Sequence, residues 1–275
     1  MAWNVPSKPI LVKYGGNAMT KPELSDLFCK DVIDLSNQGF KFCLIHGGGP
    51  MITKLLSDLS VTSEFDPSTG VRISSPEVVS IAEMALGSVG KGLAAGVSKS
   101  GVLGVSLSGR DGRMLKCQVK DGGRIGNVGE VKSVDGNLLN SLLSIPKCVP
   151  IVSPIGSAMS ESDPTVYNVN ADVAAGAVAR ALGCDLTVFL TDVPGVLDGD
   201  MELIEALDGA GIEELKGEGV ISGGMIPKVA NALDAAAGGG RSVILDGRVE
   251  GALGKLIRRL YGDGGGEGGG TVITM

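Results

Sequence analysis

The chain has 275 residues, 43% of them hydrophobic and only 20% charged, with a net charge of −7 and a pI near 4.9. That composition gives a folded protein with a sizeable core, in one large α/β domain or two lobes, and excludes a disordered chain. The acidic balance speaks against nucleic-acid or anionic-membrane partners, which need basic patches, so any anion site must be built locally from a few cations and backbone amides. A lone histidine, His46, excludes multi-histidine zinc sites and most hydrolase chemistry. Cys29, Cys43, Cys117, Cys148 and Cys184 are odd in number and widely spaced, as buried thiols in a reducing compartment would be. No apolar signal region opens the chain and no run approaches the length of a membrane span.

In chain order, the first apolar run, Ile10–Tyr14, leads directly into Gly15-Gly16-Asn17. A helical pattern over Pro22–Asn37 follows, then a second run, Phe42–His46, leading into Gly47-Gly48-Gly49-Pro50. Continuous apolar runs are strands buried on both faces, and glycines after them let the backbone turn tightly and present bare N–H groups to an anion. Helical patterns over Pro50–Leu59 and Pro76–Lys99 precede a strand at Val102–Leu107. Between Arg113 and Val134 short alternation predicts antiparallel hairpins, either a flap over a site or an edge decoration. Strands at Val149–Ser153, Thr187–Thr191 and Ser242–Asp246 alternate with helices at Asp172–Leu182 and Ile226–Ala237. Such alternation predicts a largely parallel sheet covered on both faces. The boundary between two lobes is placed near Asp163-Pro164, giving lobes over residues 1–165 and 166–275. In the glycine-rich tail, Gly264, Gly266 and Gly269 formally match G-x-G-x-x-G, but a strand-like Thr271–Thr274 follows where a helix is needed. A P-loop motif is also missing.

Several residues carry candidate chemistry. Lys13 ends the first strand beside Gly15 and Gly16, suited to a transferring phosphoryl group. Lys228 falls in the first turn of a helix, against the dipole preference for acidic residues there. Asn168, Asn170 and Asp172 crowd the start of a small-residue helix, more polar groups than one N-cap requires. Arg72 can grip a carboxylate bidentately or face solvent. Together they describe phosphoryl transfer by positioning and electrostatics. No general base is needed if the acceptor is a carboxylate, already ionised at neutral pH with a pKa of about 4.3. No paired-carboxylate metal cage is evident, so Mg²⁺ is expected to ride on the nucleotide phosphates.

Lys13-Tyr14-Gly15-Gly16-Asn17, His46-Gly47-Gly48-Gly49-Pro50, Gly70-Val71-Arg72, Asn168-Val169-Asn170-Ala171-Asp172, Leu190–Val196 and Gly224–Lys228 resemble, in order, the N-acetylglutamate kinases of the amino-acid kinase family. The resemblance implies a three-layer αβα sandwich with a mainly parallel central sheet, an N-lobe for the acceptor and dimer contacts, and a C-lobe for ATP. It assigns Lys13 and Lys228 to transition-state stabilisation and Asp172 to organising them. It implies acceptor contacts from Gly48, Gly49, Arg72 and Asn168. ATP contacts would come from Gly15, Gly16, Asp192, Val193, Pro194, Gly195, Val196, Leu197, Val220, Ile221 and Ser222, with no protein metal ligands.

Two positions depart from the family pattern. Gly90-Lys91 stands where relatives often carry Asn before lysine, and a glycine run stands near the C-terminus. A kinase for carrier-bound aminoadipate is the enzymatic rival, disfavoured by Ile73-Ser74-Ser75-Pro76 after the arginine. A silent amino-acid sensor is the rival of another class, expected to lack one of Lys13, Asp172 or Lys228, all of which are present. The resemblance also implies a small-molecule substrate and a cytoplasmic homodimer joined through the Pro76–Lys99 region. With Pro6 and Pro9 opposing an N-terminal helix, little inhibition by arginine is expected.

Overall fold

The structure, a computed structural model, describes residues 3–19, 21–262 and 268–275. The chain opens with β1 (Ile10–Tyr14), α1 (Pro22–Asn37), β2 (Phe42–His46), α2 (Gly49–Asp58), α3 (Pro76–Val97) and β3 (Leu103–Ser108). Next come β4 (Leu115–Val119), β5 (Val128–Val134), α4 (Asn137–Ser144), β6 (Cys148–Ser153), β7 (Ile155–Ala158) and β8 (Val166–Val169). The last third holds α5 (Ala171–Leu182), β9 (Leu186–Thr191), β10 (Ala206–Leu207), α6 (Gly209–Gly217), α7 (Met225–Ala236), β11 (Arg241–Asp246), α8 (Ala252–Tyr261) and β12 (Thr271–Ile273).

One eight-stranded sheet runs β10-β12-β11-β9-β1-β2-β6-β3. From β11 to β3 every pairing is parallel, and only β12 joins β11 antiparallel. Side chains of β1 alternate between faces. Ile10, Val12 and Tyr14 join α1, α3 and α8 in one apolar cluster; Leu11 joins α4, α5 and α7 in another. Helices therefore cover both faces, giving the expected αβα sandwich. Because the central strands are parallel, the loops after β1, β2, β9 and β11 emerge along one edge, where ligands of open α/β sheets bind. The glycine motif at 264, 266 and 269 falls mostly outside the described residues.

The predicted hairpin is β4–β5, closed with β8 and β7 into a small four-stranded barrel that packs against α5. It is thus separate from the edge of the main sheet. The boundary placed at 165/166 falls in the turn joining β7 to β8, which pair with each other.

One sequence expectation needs correction. At 22 residues, with a stretch of mean hydropathy 1.3, α3 is long and apolar enough to cross a membrane. Half of that stretch is buried in the fold, and its apolar stripe, including Val78, Ala82, Leu86, Leu93 and Val97, packs on its neighbours. That is how a core helix acquires a span-like composition. Pro76 at its first position and Ser75, whose hydroxyl accepts from the Val78 N–H at 3.2 Å, start the helix. Its seat on β3 depends on Gly104, where a Cβ would lie 2.5 Å from the Ala94 carbonyl oxygen and 2.6 Å from Val97 Cγ2. Gly104→Ala should therefore destabilise the fold by roughly 1–3 kcal/mol through overpacking, read as a lower urea midpoint with unchanged m-value.

Candidate active site

Lys13 shares the face of β1 with Leu11, so its side chain is directed to the α5 layer. There its Nζ lies 3.0 Å from Asp172 Oδ1, with side-chain exposures of only 12% and 20%. The crowded helix start is resolved by geometry. Asn170 is the N-cap of α5, its Oδ1 accepting from the Asp172 N–H at 2.8 Å and the Val173 N–H at 3.3 Å. Capping is thus complete without Asp172 or Asn168, which are left for other work.

The glycines fit closely around these charges. A Cβ on Gly15 would lie 2.8 Å from Lys13 Nζ, and one on Gly16, at φ +71°, would lie 2.8 Å from both carboxylate oxygens of Asp192. The second loop lies beside the first, since the Gly47 N–H donates to the Tyr14 carbonyl at 2.8 Å. Gly48 is the N-cap of α2 and supplies no side-chain cap, so the first amides of that helix stay available.

Arg72 is only 7% exposed. Its guanidinium donates to Ser63 Oγ at 3.0 Å and Thr53 Oγ1 at 2.7 Å and lies 4.5 Å from the Phe65 ring centroid. Among the described residues it has no carboxylate partner. Burial pushes its pKa down, the signature of a desolvated cation short of counter-charge. The Thr53 hydroxyl in turn donates to the Gly49 carbonyl at 3.0 Å, linking Arg72 to the glycine loop. On its other side, Asn168 Nδ2 donates to Ser74 Oγ at 3.1 Å, and Ser74 donates to the Arg72 carbonyl at 2.9 Å. Asp66 anchors the hairpin carrying Arg72. It accepts from Arg124 on the barrel and from Ser68 and Thr69, and these bonds hold its carboxyl well below the usual carboxylate range.

Lys228 occupies the first turn of α7, whose start is capped by no side chain. Gly176 packs against Asn231 and Asp234, and Arg180 pairs with Asp234, so α5 and α7 run side by side in the same direction. Asp172 and Lys228 therefore sit at the same end of adjacent helices. No ion pair to Lys228 occurs among the described residues. The Asp192–Leu197 loop leaves β9 on the same edge. Gly195 admits no larger residue, since a Cβ would meet Leu203 and Thr271 at 2.6 Å; Thr271 Oγ1 accepts from the Val196 N–H at 2.8 Å. Val196 and Ile221 are 1% and 2% exposed within one apolar cluster, so only their backbones can face a ligand. Pro194 and Ser222 are exposed; Val193, Leu197 and Val220 are half-buried.

Thr53, Ser74, Asp66, Arg124 and Thr271 escaped the sequence reading. Asp66-Pro67-Ser68-Thr69-Gly70 did carry a recognisable Asx-turn signal.

Fold and edge together define a phosphoryl-transfer class of site, with cations and free amides along the C-terminal edge of a parallel sheet. Residues 8–246 match the amino acid kinase family model. The chain is 39% identical to the acetylglutamate kinase of Aliarcobacter butzleri over 94% of this chain and 84% of that protein. It is 41% identical to that of Methylobacillus flagellatus, covering 90% and 85%. Giardia carbamate kinase has the same fold, with TM-score 0.71 and 17% identity over 97% of this chain and 98% of that one. So does Neisseria gonorrhoeae N-acetylglutamate synthase, with TM-score 0.79 and 22% identity over 98% of this chain, which spans 59% of the synthase's length. The chain belongs to the amino acid kinase family.

Two outcomes follow from this geometry. Asn170→Ala should cost about 1 kcal/mol of stability as a lost N-cap. Asp172→Asn should leave that cap intact and lower turnover; equal stability losses in both variants would show that the two residues share one structural job. His46, fully buried, has its pKa pushed down from 6.5 to about 4 by burial. The folded state therefore disfavours its protonated form, so this contribution is full above pH about 6.5 and declines toward pH 4, by about 3 kcal/mol in all. Because it is the only histidine, one NMR imidazole titration checks this, and a midpoint near 6.5 would contradict it.

Proposed function

We propose that this protein is an acetylglutamate kinase, transferring the γ-phosphoryl group of ATP to the side-chain carboxylate of N-acetyl-L-glutamate in arginine biosynthesis. The observation that carries the reading is Arg72, a buried guanidinium held by two hydroxyls and the Phe65 ring, and linked through Ser74 to Asn168. That is a seat for the acceptor's α-carboxylate, formed before the ligand arrives. With the α-carboxylate seated there, the side-chain carboxylate extends toward Gly48, Gly49 and Lys13. One of its oxygens forms the new bond to the γ-phosphorus as the bond to the β–γ bridging oxygen breaks and ADP leaves. The attacking group is already an anion, so no proton has to be removed.

Lys13 and Lys228 offset the charge spread over the transferring group, and Asp172 holds Lys13 in line. ATP lies along Gly15, Gly16, the Asp192–Leu197 loop and Val220–Ser222, reached through backbone groups at Val196 and Ile221. Mg²⁺ brought in with the nucleotide would supply further charge neutralisation. Five free buried cysteines suit a cytoplasmic setting. Exposed Met84 on α3 and Leu103 on the edge strand β3 support a homodimer formed through this side of the fold.

An ATP-dependent hydroxamate assay tests the reading. N-acetyl-L-glutamate should give trapped acyl phosphate and free glutamate little, whereas equal turnover of the two would overturn the substrate assignment. Lys228→Ala should lower kcat by roughly 10²–10³, as expected for loss of a preorganised charge. Arg72→Ala should chiefly raise the acceptor KM and leave that for ATP alone. Near-normal kcat in Lys228→Ala would make that lysine a surface residue.

A further inference from the structure

His46 closes β2 one residue before the glycine loop and is completely buried, yet its Nε2 has no hydrogen-bond partner. Its Nδ1 lies 2.8 Å from the carbonyl oxygen of Gly47. A carbonyl accepts, so Nδ1 must carry the proton and, in the neutral ring, Nε2 must be bare. The Gly47 N–H is also committed, to Tyr14. Both polar groups of Gly47 are therefore pinned. In a trans peptide the carbonyl and the following N–H point in opposite directions. Holding the Gly47 carbonyl against His46 on the α3 side turns the Gly48 N–H the other way. That N–H makes no hydrogen bond among the described residues.

We propose that His46 is a positioning residue for phosphoryl transfer, its Nδ1–H fixing the Gly47–Gly48 peptide so that the Gly48 N–H is presented to the reacting oxygens. The ligand half of this statement rests on the acetylglutamate kinase reading; the loop geometry does not. Gly90 is the third part of the device. A Cβ there would stand 3.0 Å from His46 Nε2 and 2.7 Å from Ser106 Oγ, so glycine lets the ring sit close against α3. This gives a physical reason for glycine before Lys91. Gly48 is itself confined, since a Cβ would lie 2.7 Å from Leu86 Cδ2 on α3. The loop is thereby wedged between imidazole and helix with a single peptide orientation.

Two measurements test the proposal. In wild-type protein labelled with ¹⁵N-histidine, the single imidazole should show a protonated Nδ1 and a bare Nε2 at neutral pH; the opposite tautomer overturns it. His46→Asn keeps a donor near the Nδ1 position, whereas His46→Gln moves it to the Nε2 position. Asn should hold kcat within about threefold of wild type, and Gln should lower it roughly 10²-fold with the ATP KM unchanged, the loss expected of a displaced anion donor. Equal kcat in the two variants, high or low, would overturn the positioning role. Where neither variant folds, the tautomer decides. Wild-type enzyme inactive on N-acetylglutamate would instead refute the functional reading and leave the tautomer result standing.

Discussion

The ion pair between Lys13 and Asp172 is the constraint on which the site depends. Strand β1 lies inside the sheet between β2 and β9, so its side chains have only two directions, each into a helical layer. Period-2 alternation sends Lys13 toward α5, into surroundings where an unpaired ammonium would be strongly unfavourable. Asp172 in the first turn of α5 answers that need at 3.0 Å. The helix N-terminus favours the carboxylate in its turn. The pair fixes the direction of Lys13 and balances part of its charge, so the rest of the field a ligand meets comes from elsewhere on the edge.

Arg72 supplies much of it. Its partners are hydroxyls, which orient a guanidinium without cancelling its charge. The same hydroxyls extend the order outward, through Thr53 to Gly49 and through Ser74 to Asn168. On the proposed reading, a carboxylate arriving between Arg72 and Asn168 would meet donors already fixed in place, with little side-chain entropy left to lose. The Asp66–Arg124 bond ties this hairpin to the loop between the barrel strands β4 and β5, so the two move as one connected unit.

Much of the fold was legible in the sequence. Strands β1 and β2 and helix α1 match to the residue, because continuous apolar runs ended in glycine and Pro22 marked a first helical turn. The small strands β7, β8 and β10 were missed, as were α4, α6 and α8. The strands, α4 and α6 are short, so periodicity had little length in which to show; α8 is as long as α2 but carries Gly254 within it and runs into the glycine-rich tail. In the site, charged and glycine residues announced themselves through unusual placement. Thr53, Ser74 and Thr271 did not, since an ordinary hydroxyl acquires a role only from the three-dimensional register that brings a partner to it. His46 was seen as an exclusion, a strand end and part of a glycine motif but given no role of its own, because its tautomer is a consequence of packing against α3.

Three of the helices that begin on this edge, α2, α5 and α7, are not equivalent, and the difference has an electrostatic logic. In α5 the N-cap is filled by Asn170 and the first turn holds Asp172, so that end is satisfied within the protein. At α2 and α7 the caps are Gly48 and Gly224, which contribute no side chain. An uncapped N-terminus retains partial positive charge, and Lys228 in the first turn of α7 adds to it. Such an arrangement is unfavourable in the empty protein and becomes favourable once an anion lies across the helix ends. Capping by Ser, Thr or Asp would be worth about 1 kcal/mol at each site but would occupy the amides a phosphate needs. In a chain of net charge −7, attraction for a polyanion must be kept local. Leaving two helix ends uncapped beside a third that is closed does this without making the surface basic.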